Sequence, residues 1–252
     1  MSPKILFLDI ETAPATAYVW RLFDENIGLD QIIKPGRTIC WAAKWSGQAA
    51  MHYADERSGI PEMFAQIHAL MSEADAICTY NGDKFDLPKL HLSFVEMGLP
   101  PPPPCASIDL LKTVRKLSPQ SGKLAFIGPY LGIGDKVKHE GFKLWSACLD
   151  GDEKAWARMR RYNMQDVQLL DRLYRKLRPY IKSHPYLGNG ASGACPACGS
   201  RNLQHRGYVR TKAFLTERLH CQGCGSWTQG VKQSIKTVQN ATKAADFLRA
   251  AS

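Results

Sequence analysis

The sequence has no run of apolar residues that approaches the about 18 needed to span a membrane. The longest apolar run near the N-terminus, Ile5 to Leu8, ends at Asp9 and is too short for a signal peptide. Mean hydropathy is −0.28 and 44% of the 252 residues are hydrophobic, as is typical of soluble globular proteins. We therefore expect an intracellular, cytoplasmic protein that is not secreted and has no membrane partner.

Acidic residues are scarce in the C-terminal part of the chain. Residues 183–252 carry 9 Lys and Arg against 2 Asp and Glu, so they hold +7 of the total net charge of +10. Residues 1–182 carry 24 against 21. A basic segment of this kind indicates a polyanionic partner, with nucleic acid the first candidate, and a solubilising surface is the alternative.

The apolar periodicity of residues 1–182 predicts an α/β domain with a mixed sheet flanked by helices. The predicted strands are residues 4–12, 38–45, 49–54, 76–80 and 106–110, and the predicted helices are residues 60–72, 85–97 and 153–181. A short helix is expected near Tyr18–Phe23, and a break in the last helix near Tyr162 stays open. Residues 119–150 match no motif. Beyond this domain we expect a linker at 183–193, a small β domain at 194–230 and a partly helical tail at 231–252, with its helix near Ala241–Ala250.

Asp9 and Glu11 lie two residues apart at the end of the first predicted strand, so their side chains point to the same face. Ile5 and Phe7 precede them on that face, which places the acids at one end of a buried strip. Burying two carboxylates together is costly unless a cation neutralises them. The alternative is a strand that ends at the surface, with both acids solvated.

Two further acidic positions can each be explained by a purely structural role as well as by a functional one. Asp86 begins a predicted helix after the turn that starts at Asn81, where a carboxylate also serves as a simple N-cap. Tyr162 and Asp166 lie four residues apart on one helix face, where an ordinary surface pair is equally compatible with the spacing.

The segments FLDIET, NGDKFD and YNMQD follow one another in this order, and together they resemble the three motifs of the DEDD (DnaQ-like) 3′–5′ exonucleases. The resemblance covers about residues 4–180 and implies an RNase H-like fold. Tyr162, four residues before the last aspartate, places the chain in the tyrosine (DEDDy) subgroup, and Asn81 and Phe85 match as supporting residues. The implied ligands of two Mg²⁺ or Mn²⁺ ions are Asp9, Glu11, Asp86 and Asp166.

The same resemblance implies hydrolysis of phosphodiester bonds by two metal ions, with nucleoside 5′-monophosphates as products. In that scheme Asp9 bridges the metals, Glu11 and Asp166 bind the ion that holds the water, and Tyr162 orients this water. The expected substrate is a 3′ end of single-stranded DNA, and a separate polymerase or another replication or repair protein is a candidate partner. The alternatives are an RNA exonuclease, a structure-specific endonuclease or flap nuclease, and a nucleic-acid-binding protein whose nuclease fold is inactive.

Four of the eight cysteines form two Cys-x-x-Cys pairs, each followed by glycine and separated by 22 residues: Cys195, Cys198, Cys221 and Cys224. In a chain without a secretory signal, such pairs predict a metal site rather than disulfides. The intervening residues alternate enough to form a hairpin, and the unit resembles a zinc ribbon. A closed set of four thiolates implies one structural Zn²⁺.

Basic and aromatic residues are interleaved in and around this cysteine unit, a mixture suited to phosphates and stacked bases. We therefore expect the ribbon to assist nucleic-acid binding. The alternatives are a ribbon whose aromatic residues form its own small core, or one that docks a protein. The candidate nucleic-acid contacts are Arg206, Tyr208, Arg210, Lys212, Arg218 and Trp227.

Overall fold

A computed structural model describes residues 3–136, 141–182, 184–187 and 193–238. The chain divides into two compact units, one formed by Lys4–Leu177 and one that contains the residues from Arg178 onward. Most of the predicted linker and the tail helix near Ala241–Ala250 lie outside the described residues. In the part of the chain that is described, no helix combines the length and the apolar character required to cross a bilayer.

The first unit is built on a five-stranded mixed sheet. The strands of this unit are β1 Ile5–Ala13, β2 Thr16–Ala17, β3 Ile32–Lys34, β4 Arg37–Trp45, β5 His52–Asp55, β6 Ala76–Thr79 and β7 Ala106–Asp109. In the five-stranded sheet, the central strand β1 is antiparallel to β4 and parallel to β6, and the strand order is β5-β4-β1-β6-β7. The two short strands β2 and β3 pair separately as a hairpin between β1 and β4.

Helices flank this sheet, so the predicted α/β class is confirmed. They are α1 Ile60–Ser72, α2 Asp86–Glu96, α3 Leu110–Lys116, α4 Leu124–Tyr130, α5 Phe142–Leu149 and α6 Glu153–Leu177. Residues 119–150, which match no motif, contribute α4 and α5.

Two local expectations differ from the structure. Helix α6 runs without a break through Tyr162, because buried residues recur along it at helical spacing. The short helix expected near Tyr18–Phe23 does not form, since the Tyr18 N–H donates to the Gln31 carbonyl and continues the β2–β3 hairpin. The Glu25 carboxylate accepts the N–H groups of Trp20 and Arg21 and shapes the rest of the loop.

Strand β1 is buried on both faces, as its nearly continuous apolar sequence predicts. Leu6 and Leu8 belong to a core with α1 and α2. On the opposite face, the Phe7 ring contacts the Tyr174 ring of α6 edge-on, with centroids 5.4 Å apart. Because alternate side chains share a face, Asp9 and Glu11 also point to the side that α6 covers.

The second unit contains a three-stranded antiparallel sheet in the order β10-β9-β8. Its strands are β8 Leu203–Arg210, β9 Phe214–Cys221 and β10 Trp227–Ser234. The predicted hairpin thus gains a third strand, and this strand continues to Ser234, past the predicted domain boundary at residue 230. Cys195, Ala197 and Cys221 form the small buried core at the end of this sheet.

Candidate active site and metal centres

Three carboxylates meet where β1 passes beneath α6. Asp9 and Glu11 of β1 and Asp166 of α6 each place an oxygen within 4.8 Å of the others. Asp166 is buried, and Asp9 and Glu11 are partly buried. Asp9 and Glu11 share one face of the strand, and Asp166 lies on the helix that covers this face. The fold thus brings together residues that lie more than 150 positions apart in sequence.

Asn163, the neighbour of Tyr162 on α6, fixes the first of these carboxylates. Its side-chain N–H groups donate to Asp9 Oδ2 at 2.7 Å and to the Asp9 carbonyl at 3.3 Å. Asn163 is fully buried, and the Cys40 thiol of β4 lies 4.0 Å from its Oδ1. The amide therefore holds Asp9 in one rotamer and gives it a hydrogen bond that a buried carboxylate needs.

Asp86 lies beside this cluster, at the first residue of α2. Its Oδ1 accepts the N–H of Ile10, the residue between Asp9 and Glu11, at 3.1 Å. Gly82 makes the preceding turn possible, because a Cβ there would lie 2.3 Å from Thr79 Oγ1. Among the described residues, the set of oxygens within 4.8 Å does not include Asp86, whose role as fourth ligand stays a prediction.

The acids of the cluster destabilise one another's charged forms. Burial, followed by repulsion from Asp86, Glu11 and Asp166, holds the pKa of the Asp9 carboxyl well above its usual range. Burial and then Asp166 raise the pKa of Glu11 to about 8. Burial raises the pKa of Asp86 to about 7, although the Ile10 N–H opposes that shift.

Lys136 supplies positive charge to the cluster. Its ammonium lies 2.5 Å from Asp166 Oδ2, donates to the Tyr162 hydroxyl at 3.2 Å and lies 5.2 Å from the centre of the Tyr162 ring. Burial lowers its pKa, but the Asp166 carboxylate and the Tyr162 phenol together hold that pKa above its ordinary value. Burial and Asp166 likewise raise the pKa of Tyr162, so its phenol stays protonated at neutral pH.

The donor set fits a divalent cation. All its ligand atoms are carboxylate oxygens, which Mg²⁺ and Mn²⁺ prefer. Lys136 contributes one positive charge against the four carboxyls of Asp9, Glu11, Asp86 and Asp166. Burial and, after it, repulsion between the carboxylates raise the pKa values of Asp9 and Glu11, and a bound divalent cation would relieve this repulsion.

The two predicted supporting residues lie around the cluster and not within it. Asn81 has a left-handed backbone, with φ of 70°, and its N–H donates to Asp109 Oδ1 at 2.8 Å. Phe85 precedes Asp86 and is 40% exposed. Both residues therefore shape the turn that presents Asp86.

Sequence reasoning missed two residues of the site. Asn163 is part of the YNMQD motif, and its place next to Tyr162 on a buried helix was an available signal. Lys136 lies in the segment that matched no motif, after Gly132 and Gly134, both of which have positive φ. Nothing in its local sequence distinguishes it from other lysines, because its partners on α6 are brought to it only by the fold.

The four predicted cysteines of the second unit form one cluster, with all sulfurs within 4.8 Å of one another. The Cys195 and Cys224 sulfurs are 3.8 Å apart, and those of Cys198 and Cys221 are 3.6 Å apart. A tetrahedral Zn²⁺ with Zn–S distances of about 2.3 Å places its sulfurs roughly 3.8 Å apart, whereas a disulfide needs about 2.05 Å. The cluster therefore fits a structural zinc ion.

The predicted nucleic-acid contacts are distributed over two regions of the ribbon. Arg206, Tyr208 and Arg210 lie on β8, and an Arg218 guanidinium nitrogen on β9 lies 3.4 Å from the Cβ position at Gly207. Lys212 is exposed in the turn that follows β8. Trp227 is on β10, the opposite edge strand, where its ring lies 4.8 Å from that of His220. The structure thus places Arg206, Tyr208 and Arg210 on one edge strand, Trp227 on the other edge strand and Arg218 on the central strand between them.

Comparison with solved structures finds a similar fold in a larger enzyme. A family B DNA polymerase from the hyperthermophilic archaeon Pyrobaculum calidifontis matches with a TM-score of 0.51 at 18% sequence identity. The match covers 70% of this chain and 25% of the polymerase chain, so this chain spans about a quarter of the polymerase's length. At this identity the likeness concerns the fold alone. No curated protein sequence matches this chain.

A sequence profile of the RNase H superfamily matches residues 38–178. The matched region contains Asp86, Tyr162 and Asp166 and begins after Asp9 and Glu11. It extends from β4 to the end of α6 and covers more than half of the chain. The chain therefore belongs to the RNase H superfamily.

Proposed function

We propose that this chain is a metal-dependent 3′–5′ exonuclease that hydrolyses single-stranded DNA. The RNase H-like fold supports a nuclease. The observation that carries the proposal is the cluster of Asp9, Glu11 and Asp166, whose carboxylate oxygens lie within 4.8 Å of one another. The preference for a 3′ end rests on the resemblance of the three motifs to the DEDD exonucleases.

Asp9, Glu11 and Asp166 would hold the catalytic Mg²⁺ or Mn²⁺, with Asp86 as the predicted fourth ligand. Bound there, the metal supplies neutralisation of the phosphodiester charge and a lower pKa for the attacking water. Asn163 keeps the Asp9 carboxylate in its binding orientation through the 2.7 Å hydrogen bond.

Tyr162 orients the attacking water. Because burial and Asp166 raise its pKa, the phenol is a poor base and acts as a hydrogen-bonding group. Lys136 fixes the hydroxyl by donating to it at 3.2 Å, and the Trp145 ring packs edge-on against the Tyr162 ring with centroids 6.0 Å apart. These contacts restrict the phenol to one position, which favours an orienting role.

The ribbon assists by binding the nucleic acid. Its exposed arginines on β8 and β9 suit phosphates, and Tyr208, 42% exposed, suits base stacking. Tethered to the nuclease unit, the ribbon raises the local concentration of substrate. A replication or repair protein stays the predicted partner.

The test incubates 5′-labelled single-stranded DNA and the equivalent RNA with Mg²⁺, with Mn²⁺ or without a divalent cation. The metal-free arm omits the cation and uses no chelator, because a chelator would also remove zinc from the ribbon. Asp9→Ala is run in parallel, with Glu62→Ala on the exposed surface of α1 as the matched acidic control. We expect a ladder that shortens from the 3′ end of DNA only with a metal ion, and only in the wild type and the control.

Each other outcome selects an alternative. Shortening of RNA alone would make the chain an RNA exonuclease, and a single internal cut would make it an endonuclease. A retarded but intact strand under all metal conditions would contradict the nuclease proposal and leave a binding protein with an inactive fold.

A further inference from the structure

A groove of about 650 Å³ lies at the end of β1, outside the carboxylate cluster. One wall is formed by residues 14–17, with Lys34 and Arg37 beside them. The other wall is one face of α5, formed by Phe142, Ser146 and Leu149. None of these residues belongs to a sequence motif of the proposed active site.

Both walls of the groove lead back toward the carboxylate site along the chain. Pro14 directly follows the last residue of β1 and lies three residues beyond Glu11. On α5, Trp145 contacts the Tyr162 ring, and Phe142 lies three residues before it, about one helical turn away. A strand whose end occupies the carboxylate site can therefore extend into this groove.

The lining chemistry suits a single-stranded nucleic acid. Phe142 is 69% exposed, so its ring face is accessible to a base. Arg37 pairs with Glu56, whereas Lys34 is exposed and has no acidic partner within 4 Å among the residues that the structure describes. Asp150 lines the same groove, so the positive side is the wall that carries Lys34.

The β2–β3 hairpin extends this surface. Tyr18 and Trp20 lie one and three residues beyond the groove residue Ala17 and are 76% and 93% exposed. Exposing such rings to water costs free energy unless a ligand covers them, and bases stack on aromatic faces irrespective of sequence. The loop backbone is fixed by the Glu25 carboxylate and by Gln31, which keeps these rings presented outward.

We propose that this groove binds the single-stranded substrate next to its cleaved end, with Lys34 on a phosphate and Phe142 against a base. The proposal rests on the proposed function, because it assigns the path of the same strand. It differs from the ribbon contacts, which lie in the other unit of the chain.

The affinity test measures binding of a short 5′-fluorescein oligothymidylate to the full chain by fluorescence anisotropy, without added Mg²⁺ or Mn²⁺ and without a chelator. We expect Lys34→Ala/Phe142→Ala to raise Kd about tenfold, as loss of a stacked base and a phosphate contact predicts. Lys34→Ala alone should reduce the slope of log K against log salt by about 0.7. Lys116→Ala/Tyr130→Ala, which removes an exposed lysine and an exposed aromatic elsewhere, is the matched control. Circular dichroism verifies that both variants fold.

Photo-crosslinking then locates the strand independently of the ribbon's affinity. An oligonucleotide with 5-iododeoxyuridine is irradiated on the protein, and the modified peptides are identified by mass spectrometry. We expect crosslinks at Phe142, Tyr18 or Trp20. In the Phe142→Ala variant, the crosslink at residue 142 should disappear.

The outcomes separate this proposal from the proposed function. Weakened binding and crosslinks in the groove, without cleavage by the wild type, would support the groove and contradict the exonuclease. Cleavage by the wild type with unchanged Kd and crosslinks only in the ribbon would overturn the groove. The groove would also be overturned if the double variant left Kd unchanged but abolished self-association in sedimentation, since the surface would then be a protein interface.

Discussion

The carboxylate cluster and the cysteine cluster bring together ligands of different kinds in different ways. The cysteines come from two short turns within 30 residues, and their four sulfurs lie at the separations of a closed tetrahedral site. The carboxylates come from β1 and α6, at opposite ends of their unit's sequence, and their charge is only partly balanced by Lys136. A closed sulfur site has no position for a substrate, whereas an oxygen site with unbalanced charge can bind metal and a phosphate together.

The two units also differ in what stabilises them. Among described residues, the buried apolar cluster around the cysteines contains only Cys195, Ala197 and Cys221, so we expect the stability of this region to come largely from a bound metal. The carboxylates are instead supported by two apolar cores and by Asn163. We therefore expect the cysteine cluster to stabilise the fold around it, whereas the carboxylate cluster is held in place by the fold.

The largest expected effect is on the cysteine unit. Cys221→Ser removes one ligand of a metal whose binding contributes about 10 kcal/mol to folding in small zinc domains. We expect loss of zinc from the purified protein and rapid proteolysis within residues 193–238, measured by atomic absorption and mass spectrometry. Asp9→Ala is the reciprocal control and should retain zinc. A zinc-free protein that resists proteolysis would contradict the structural role of the metal.

The next effect is on catalysis. Asp9→Ala removes a metal ligand and leaves the Asn163 amide without its acceptor, so we expect cleavage to fall at least about 10³-fold. Because the core around β1 is apolar, the melting temperature should change little by comparison. The measurement is the initial rate of DNA shortening at saturating Mg²⁺, with Glu62→Ala as control. Wild-type cleavage by Asp9→Ala would remove the carboxylate cluster from the mechanism.

Tyr162→Phe tests whether the phenol acts on the reacting atoms. The ring contact with Trp145 is kept and only the hydroxyl that accepts from Lys136 is lost. We expect kcat to fall about 10²-fold while KM stays near the wild-type value. If KM rises instead and kcat is unchanged, Tyr162 binds substrate and does not orient water.

The smallest expected effect is on the stability of the unit that holds the carboxylates, and it is tested at Asp171 on α6. Burial raises the pKa of Asp171, but hydrogen bonds from Arg175 and Lys44 hold it below its usual range, and Lys44 Nζ lies 2.5 Å away. A lowered folded-state pKa stabilises the protein above the unfolded value of about 3.9 and ceases to do so as pH falls through the folded value.

Asp171→Asn should therefore destabilise the protein by about 2 kcal/mol near pH 7, because it leaves the largely buried Lys44 side chain without its charge partner. The difference from wild type should shrink as pH falls below about 4. Urea unfolding at a series of pH values measures it. A difference that grows on acidification would contradict the assigned sign.

Much of this organisation could be predicted from sequence. The apolar run of β1 and the helical spacing of α1 specify their elements locally, and α1 spans the predicted residues 60–72. Asp9 and Glu11 share a face because strands have a period of two, and the Cys-x-x-Cys turns are local motifs. In each case the information lies within a few residues.

The rest depends on contacts between distant residues. Lys136 reaches Asp166 only because the fold brings its loop to α6, and no local pattern reports that approach. The Tyr18–Phe23 segment has helix-compatible spacing, but the hydrogen bond from Tyr18 to Gln31 makes it part of a hairpin. The groove between the β2–β3 hairpin and α5 likewise joins segments that the sequence separates by more than 100 residues.

We infer that one chain holds two metal sites of different kinds, a closed one on sulfur and a reactive one on oxygen. Anomalous diffraction from crystals grown with Mn²⁺, recorded at the zinc and manganese edges, tests both sites in one measurement. We predict a zinc peak between Cys195, Cys198, Cys221 and Cys224, and manganese among Asp9, Glu11 and Asp166, with Lys136 moved off Asp166. Manganese absent from the carboxylates, with the Lys136–Asp166 pair intact, would contradict a catalytic metal site at Asp9, Glu11 and Asp166.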